Sequence, residues 1–167
     1  MPSTWDAITN VLRQEFSDVA DLEAAVRIGV RLLIAALLGG LLGFERERSG
    51  HSAGIRTHML VSMGAALFVM IPQQSGVAPT DISRVVQGIV AGVGFLGAGT
   101  ILKDGDSDRV RGLTTAAGIW LTAAIGMAAG LGREATAVFS TALALGVLLL
   151  EPAFRGLTQK GRARPRP

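Results

Sequence analysis

Ionisable and hydroxylic side chains gather at a few points of this 167-residue chain. Glu45-Arg46-Glu47 closes one apolar stretch, and Arg56-Thr57-His58 opens the next. Asp104, Asp106 and Asp108 follow a third stretch, and Arg111, Thr114 and Thr115 open a fourth. Carboxylates beside guanidinium groups form ion pairs, and helix N-termini, with their unpaired N–H groups, hold carboxylates or small anions. The expected arrangement is a salt-bridged cluster of Glu45, Arg56 and Arg111 that locks the loops, with Glu45 and Glu47 stabilised where two helices begin. A second polar group comprises Arg27, Arg31, Asp81, Arg84 and Gln87. Arg27 is expected to snorkel outward. Arg31, one turn deeper, is expected to seek a carboxylate, with Asp81 the nearest on that side. Arg84 and Gln87 share a face at i and i+3, and Gln87 reads as an interhelical hydrogen-bonding group.

Other chemistries are poorly supported. Asp104-x-Asp106-x-Asp108 opens like an EF-hand loop, but the sixth and twelfth positions are Arg109 and Thr115, where Gly and Glu are required. A solvated acidic loop is expected, with a weak divalent-ion contact as the alternative. His51 and His58 lack metal-ligand spacing and read as interfacial residues. The run from Gly92 to Gly97 matches GxGxxG, but no strand precedes it and it lies inside an apolar helix, so a nucleotide role is set aside. No nucleophile, base and acid set stands out. The chain has no Cys, which removes thiolate catalysis and disulfides. Neither enzymatic activity nor a cofactor is expected.

The elements that position these residues are apolar. Residues 26–151 hold five glycine-rich apolar stretches, each about one bilayer long; about 20 apolar helical residues cross a hydrocarbon core of about 30 Å. In lipid the backbone must satisfy its own hydrogen bonds, which a non-alternating apolar run does only as a helix. The expected class is all-α: a polytopic membrane protein with about five transmembrane helices. The spans are read at 26–44, 55–71, 84–102, 113–130 and about 133–151. Pro72 and Pro152 serve as stops, and Asp81 and Ser83 are candidate N-caps. Residues 1–25 are acidic, with Leu12, Phe16, Val19, Leu22 and Val26 at helical spacing, and read as an interfacial amphipathic helix. Residues 152–167 read as a disordered basic tail. Charged residues make up 17 %, fewer than the usual quarter. Segment 1–10 has no basic n-region, so no cleavable signal is read there.

Lys and Arg fall in alternate loops. Arg46, Arg48 and Arg56, then Lys103, Arg109 and Arg111, then the tail share one side. An N-terminus outside and a cytoplasmic C-terminus follow. This placement reflects orientation rather than nucleic-acid binding. Helices in lipid associate through close backbone approach at small residues. Gly39 and Gly43, and Gly88 and Gly92, have GxxxG spacing. With Gly97 they are the expected packing positions, and the third span, richest in glycine, is the expected centre of the bundle.

Four ordered motifs then acquire a family likeness. They are residues 31–47 ending in Phe-Glu45-Arg46-Glu47; Gly54-Ile-Arg56-Thr57-His58; Gly94-Phe-Leu-Gly97-Ala-Gly99; and Val110-Arg111-Gly112-Leu-Thr114-Thr115. Together they resemble the MgtC/SapB family. The resemblance implies a bacterial inner-membrane protein tied to magnesium homeostasis, growth at low magnesium and virulence. It also implies a non-enzymatic modulator, with the ATP synthase as a candidate partner, working as a homodimer or other homo-oligomer in the lipid bilayer. The alternative is an oligomeric transporter of magnesium, another cation or a small solute. MgtC-type members carry a soluble domain after the last span, whereas a short basic tail follows Pro152 here, as in membrane-only members. The transferred motif residues are Glu45, Arg46, Glu47, Arg56, Thr57, Arg111, Thr114 and Thr115.

Overall fold

The computed structural model describes residues 3–17, 19, 21–103 and 110–160. Asp104, Asp106, Asp108 and tail residues 161–167 lie outside the described residues. The chain is helical almost throughout: α1 Thr4–Glu15, α2 Leu22–Arg48, α3 Ile55–Gln74, α4 Pro79–Gly99, α5 Leu113–Gly130 and α6 Glu134–Lys160. Between α4 and α5, Leu102 and Lys103 pair antiparallel with Val110 and Arg111, a short ladder that the apolar pattern does not announce.

Helices α2, α3, α4 and α5 are long and apolar enough to cross a bilayer. The described apolar part of α6, Glu134–Leu150, is shorter. Large apolar side chains face outward along the bundle, Leu60, Phe68, Phe95 and Phe139 among them, each more than 60 % exposed. A water-soluble protein rarely tolerates so large an apolar exterior. In a bilayer this belt meets lipid, and the chain is a membrane protein.

Several element ends differ from the sequence reading. Helix α2 begins at Leu22, where Asp21 caps it by accepting from the Ala24 N–H at 2.8 Å. The apolar series from Leu12 to Val26 is therefore split between α1 and α2. Helix α4 opens at Pro79, so Asp81 lies in its first turn and Ser83 just beyond it, neither at its cap. The first helical position suits proline, whose missing N–H would be unpaired there in any case. Helix α3 runs through Pro72 to Gln74, and the α6 backbone runs through Pro152 to Lys160. Proline removes one hydrogen bond of a helix, not all of them. The helical backbone thus extends nine residues past the expected end at Glu151.

The larger correction concerns the centre of the bundle. Of the α5 apolar stretch 44 % is buried within the protein, against 17 % for α4. Nothing lies within 4 Å of where a Cβ would stand on Gly88 or Gly92, and only Gly97 meets a neighbour, Ala116, at 3.5 Å. The close approaches are made elsewhere. A Cβ on Gly39 would come 2.6 Å from the His58 carbonyl oxygen, and one on Gly43 would come 2.6 Å from the Ile55 Cα. These contacts run α2 antiparallel to α3. A Cβ on Gly126 would strike the Ser62 carbonyl, and one on Gly130 would come 2.7 Å from the Ala66 Cα. They run α5 parallel to α3.

Two apolar cores result. One joins α2, α3, α5 and α6 through Ala35, Leu38, Met70, Ile125, Ala137 and Ala144. The other joins α3, α4 and α5 through Ala65, Val69, Ile89, Val93, Ile119 and Ala123.

Candidate functional site

The last turn of α2, the turn that follows it and the first turn of α3 form one polar end of the bundle. Arg46 is fully buried, an unusual fate for a guanidinium. Its Nε donates to Glu45 Oε2 at 2.5 Å, and its Nη1 lies 3.5 Å from His51 Nε2. The other carboxylate oxygen, Glu45 Oε1, accepts from Ser49 Oγ at 2.8 Å. Only 12 % of the Glu45 side chain and 1 % of the Arg46 side chain remain exposed. The turn closes over them: Ser49 N–H bonds to the Glu45 carbonyl and His51 N–H to the Arg46 carbonyl, each at 3.0 Å. A cation in the last turn of a helix also meets the negative end of its dipole.

Glu47 reaches the other way. Its Oε2 accepts from the Ile55 N–H at 3.0 Å and so caps α3, whose own N-cap residue, Gly54, has no side chain to offer. Removing a cap of this kind costs about 0.5–2 kcal/mol. Glu47→Ala is expected to lower stability by that amount, read as a drop in melting temperature of the detergent-solubilised protein. An unchanged melting curve would show the cap to be idle.

One turn into α3, His58 is fully buried. Its Nδ1 lies 3.1 Å from the Gly54 carbonyl, its Nε2 faces α5 at Gly118, and one turn deeper Ser62 Oγ is also fully buried. Neither His58 Nε2 nor Ser62 Oγ has a hydrogen-bond partner among the described residues. Thr122 on α5 satisfies itself by donating to the Gly118 carbonyl at 2.8 Å.

Among the described residues, no bond joins Glu45, Arg56 and Arg111 into the expected cluster. Glu45 is taken by Arg46 and Ser49. Arg56 is exposed on the first turn of α3, and Arg111 sits opposite Leu102 in the ladder. Thr57 and Thr114 are exposed, and Thr115 is buried. Gly112 joins α4 to α5 with φ +90°, and a Cβ there would collide with the Thr100 carbonyl. His51 and His58 are the residues that sequence reasoning undervalued. The His58 burial had a trace: it shares a helical face with Ser62, Ala65, Ala66 and Val69. Among the described residues, no group of three or more His, Asp or Glu gathers as a metal site.

The opposite end is organised by Arg31. Its Nη1 donates to Gln73 Oε1 at 2.9 Å and to the Gly130 carbonyl at 3.0 Å, and its Nε lies 3.9 Å from Glu134. One side chain thus ties the end of α3, the end of α5 and the start of α6. Asp81, the expected partner, instead pairs with exposed Arg84 at 3.8 Å on its own helix. Gln87 is exposed on α4, and among the described residues no hydrogen bond joins it to another helix.

The MgtC family model matches residues 32–157. Protein SrpB of Synechococcus elongatus is 52 % identical over 116 residues, covering 63 % of this chain and 64 % of that protein. The protein named putative magnesium transporter YhiD of Escherichia coli K12 is 44 % identical over 127 residues, covering 71 % and 58 %. Protein MgtC of Salmonella typhimurium LT2 is 43 % identical over 128 residues, covering 75 % and 54 %. The matches thus span less than two thirds of each of these relatives. No solved structure matches the chain. The match of the family model to most of the chain, with Glu45, Arg46, Arg56 and Arg111 inside it, shows that this chain belongs to the MgtC family.

Proposed function

We propose that this chain is a non-enzymatic membrane modulator in magnesium homeostasis and adaptation to low magnesium, acting through contacts with a larger membrane complex. The ATP synthase is the candidate complex, and a homo-oligomer is the candidate form. The reading puts the N-terminus outside and the Arg46 end of the bundle in the cytoplasm, from the alternation of Lys and Arg between loops.

The observation that carries it is where the ionisable groups sit. Glu45, Arg46 and Glu47 occupy one end, and Arg31 and Glu134 the other. Between them no span carries an acidic side chain. A carrier of divalent cations needs such a group, or a broken helix, near the midplane. Helices α2, α3 and α5 are continuous, and glycine contacts draw them together. The name of the Escherichia coli relative, putative magnesium transporter, supplies the link to magnesium.

A second reading, an oligomeric transporter of magnesium or another small solute, is favoured by one observation: the buried, unpartnered His58 Nε2 and Ser62 Oγ between the helices. One pair of measurements separates the two. Purified protein in liposomes is expected to pass no magnesium down an imposed gradient, and robust flux would defeat the modulator. Arg111→Ala is expected to abolish rescue of growth at low magnesium while inserting normally. Full rescue by that variant would show Arg111 to be dispensable for this role.

A further inference from the structure

Two hollows adjoin on the flank of the bundle, along the seam between α3 and α4. One, of about 290 Å³, is lined by apolar residues including Leu60, Gly64, Phe68, Ile89 and Val93. The other, of about 250 Å³, lies toward the Arg46 end and places the hydroxyl-bearing Ser52, Thr57 and Thr100 beside Ile119. Val61 and Leu96 line both, so the two are continuous. The groove is therefore amphiphilic along its length, apolar at membrane depth and hydroxylic at the membrane edge. Arg56, next to Thr57, is exposed at that edge and has no ion-pair partner among the described residues. Nothing lies within 4 Å of where a Cβ on Gly64 would stand, so the apolar part is open.

We propose that this groove is a binding site for an anionic glycerophospholipid. One acyl chain lies along Gly64, Phe68, Ile89 and Val93. The phosphate sits at the membrane edge, within reach of the Ser52 and Thr57 hydroxyls and the Arg56 guanidinium; the Thr100 hydroxyl is already given to the Gly97 carbonyl at 2.8 Å. Hydroxyl groups donate to phosphate oxygens, and arginine binds phosphate by charge and by paired N–H groups. A basic residue at a membrane surface favours anionic over zwitterionic lipid. The groove opens on the lipid-facing flank of the bundle, where Leu60, Phe68 and Leu96 are exposed, so acyl chains reach it directly.

The test uses the full chain in detergent, with native mass spectrometry to read the lipids it retains when offered equal phosphatidylglycerol and phosphatidylcholine. The wild type is expected to retain phosphatidylglycerol preferentially. Gly64→Phe, which fills the groove from an open position, is expected to keep the wild-type melting temperature and lose the retained lipid. Arg56→Gln, a surface change, is expected to reduce the preference for phosphatidylglycerol. Should Gly64→Phe not fold, Gly64→Leu and Arg56→Gln carry the same readout. Equal retention of the two lipids by the wild type, or unchanged retention in the groove-filled variant, would overturn the proposal. So would displacement of the lipid by a second copy of the chain, since that would make the groove a helix-docking face.

Discussion

Gly126→Leu is expected to prevent the bundle from forming. A Cβ at Gly126 would already meet the carbonyl oxygen of Ser62, with the Ser62 carbonyl carbon 2.7 Å and its Cα 2.8 Å away. All three atoms are backbone, so no side chain can swing aside; α5 or α3 must move. Those two helices share the second apolar core, and α5 is the most buried of the long apolar helices. Overpacking of an interior costs about 1–3 kcal/mol when the surroundings can relax, and more when they cannot. That is a large share of a total stability of about 5–15 kcal/mol. Gly88→Ala and Gly92→Ala make the control. Their added methyl groups meet nothing within 4 Å, and alanine is the better helix former by about 1 kcal/mol. They are expected to melt at or slightly above the wild-type temperature in detergent, while Gly126→Leu yields little monodisperse protein. A Gly126→Leu variant that purifies and melts like the wild type would show that α3 and α5 do not meet at this point.

The contrast between Gly126 and Gly88 explains how much the sequence could disclose. The helices themselves were legible, because apolar length is a direct statement about bilayer thickness and backbone hydrogen bonding. Their arrangement was less so. Glycine spacing tells where a second backbone can approach, not whether one does. The GxxxG of Gly88 and Gly92 faces open space, whereas the i,i+4 series Gly118, Thr122, Gly126 and Gly130 lies along α5, the helix nearest the bundle centre. Arg31 teaches the same lesson about charge. Asp81 was the nearest carboxylate in the expected topology, but it has Arg84 three residues on, and the tight turn between α5 and α6 delivers Glu134 and the Gly130 carbonyl to Arg31. At the other end, Glu45 and Arg46 are adjacent in sequence. Neighbouring helical positions do not face each other, so their pairing requires the guanidinium to fold back. That geometry depends on the turn packed over it, which periodicity does not encode.

Arg46→Ala is the substitution at this end with the largest expected effect. Removing one member of a buried ion pair strands the other charge, at a cost of about 3–5 kcal/mol. Among the described residues, Glu45, 12 % exposed, would keep the Ser49 hydroxyl as its one side-chain donor. The turn that carries His51 and Ala53 would also lose the side chain on which it is folded. Expected outcomes are poor accumulation in the membrane fraction and, for what is recovered, a sharply lower melting temperature. Arg56→Ala, an exposed change on the same face, is expected to stay within about 0.5 kcal/mol of the wild type. The double replacement Glu45→Gln with Arg46→Met separates charge from shape. It removes both charges and keeps much of the volume, so it is expected to recover part of the loss. Recovery would identify the stranded carboxylate as the cause. A double variant no better than Arg46→Ala would instead assign the effect to the packing of the arginine stem under the turn. An Arg46→Ala variant as stable as the wild type would remove Arg46 altogether as the anchor of this end of the bundle.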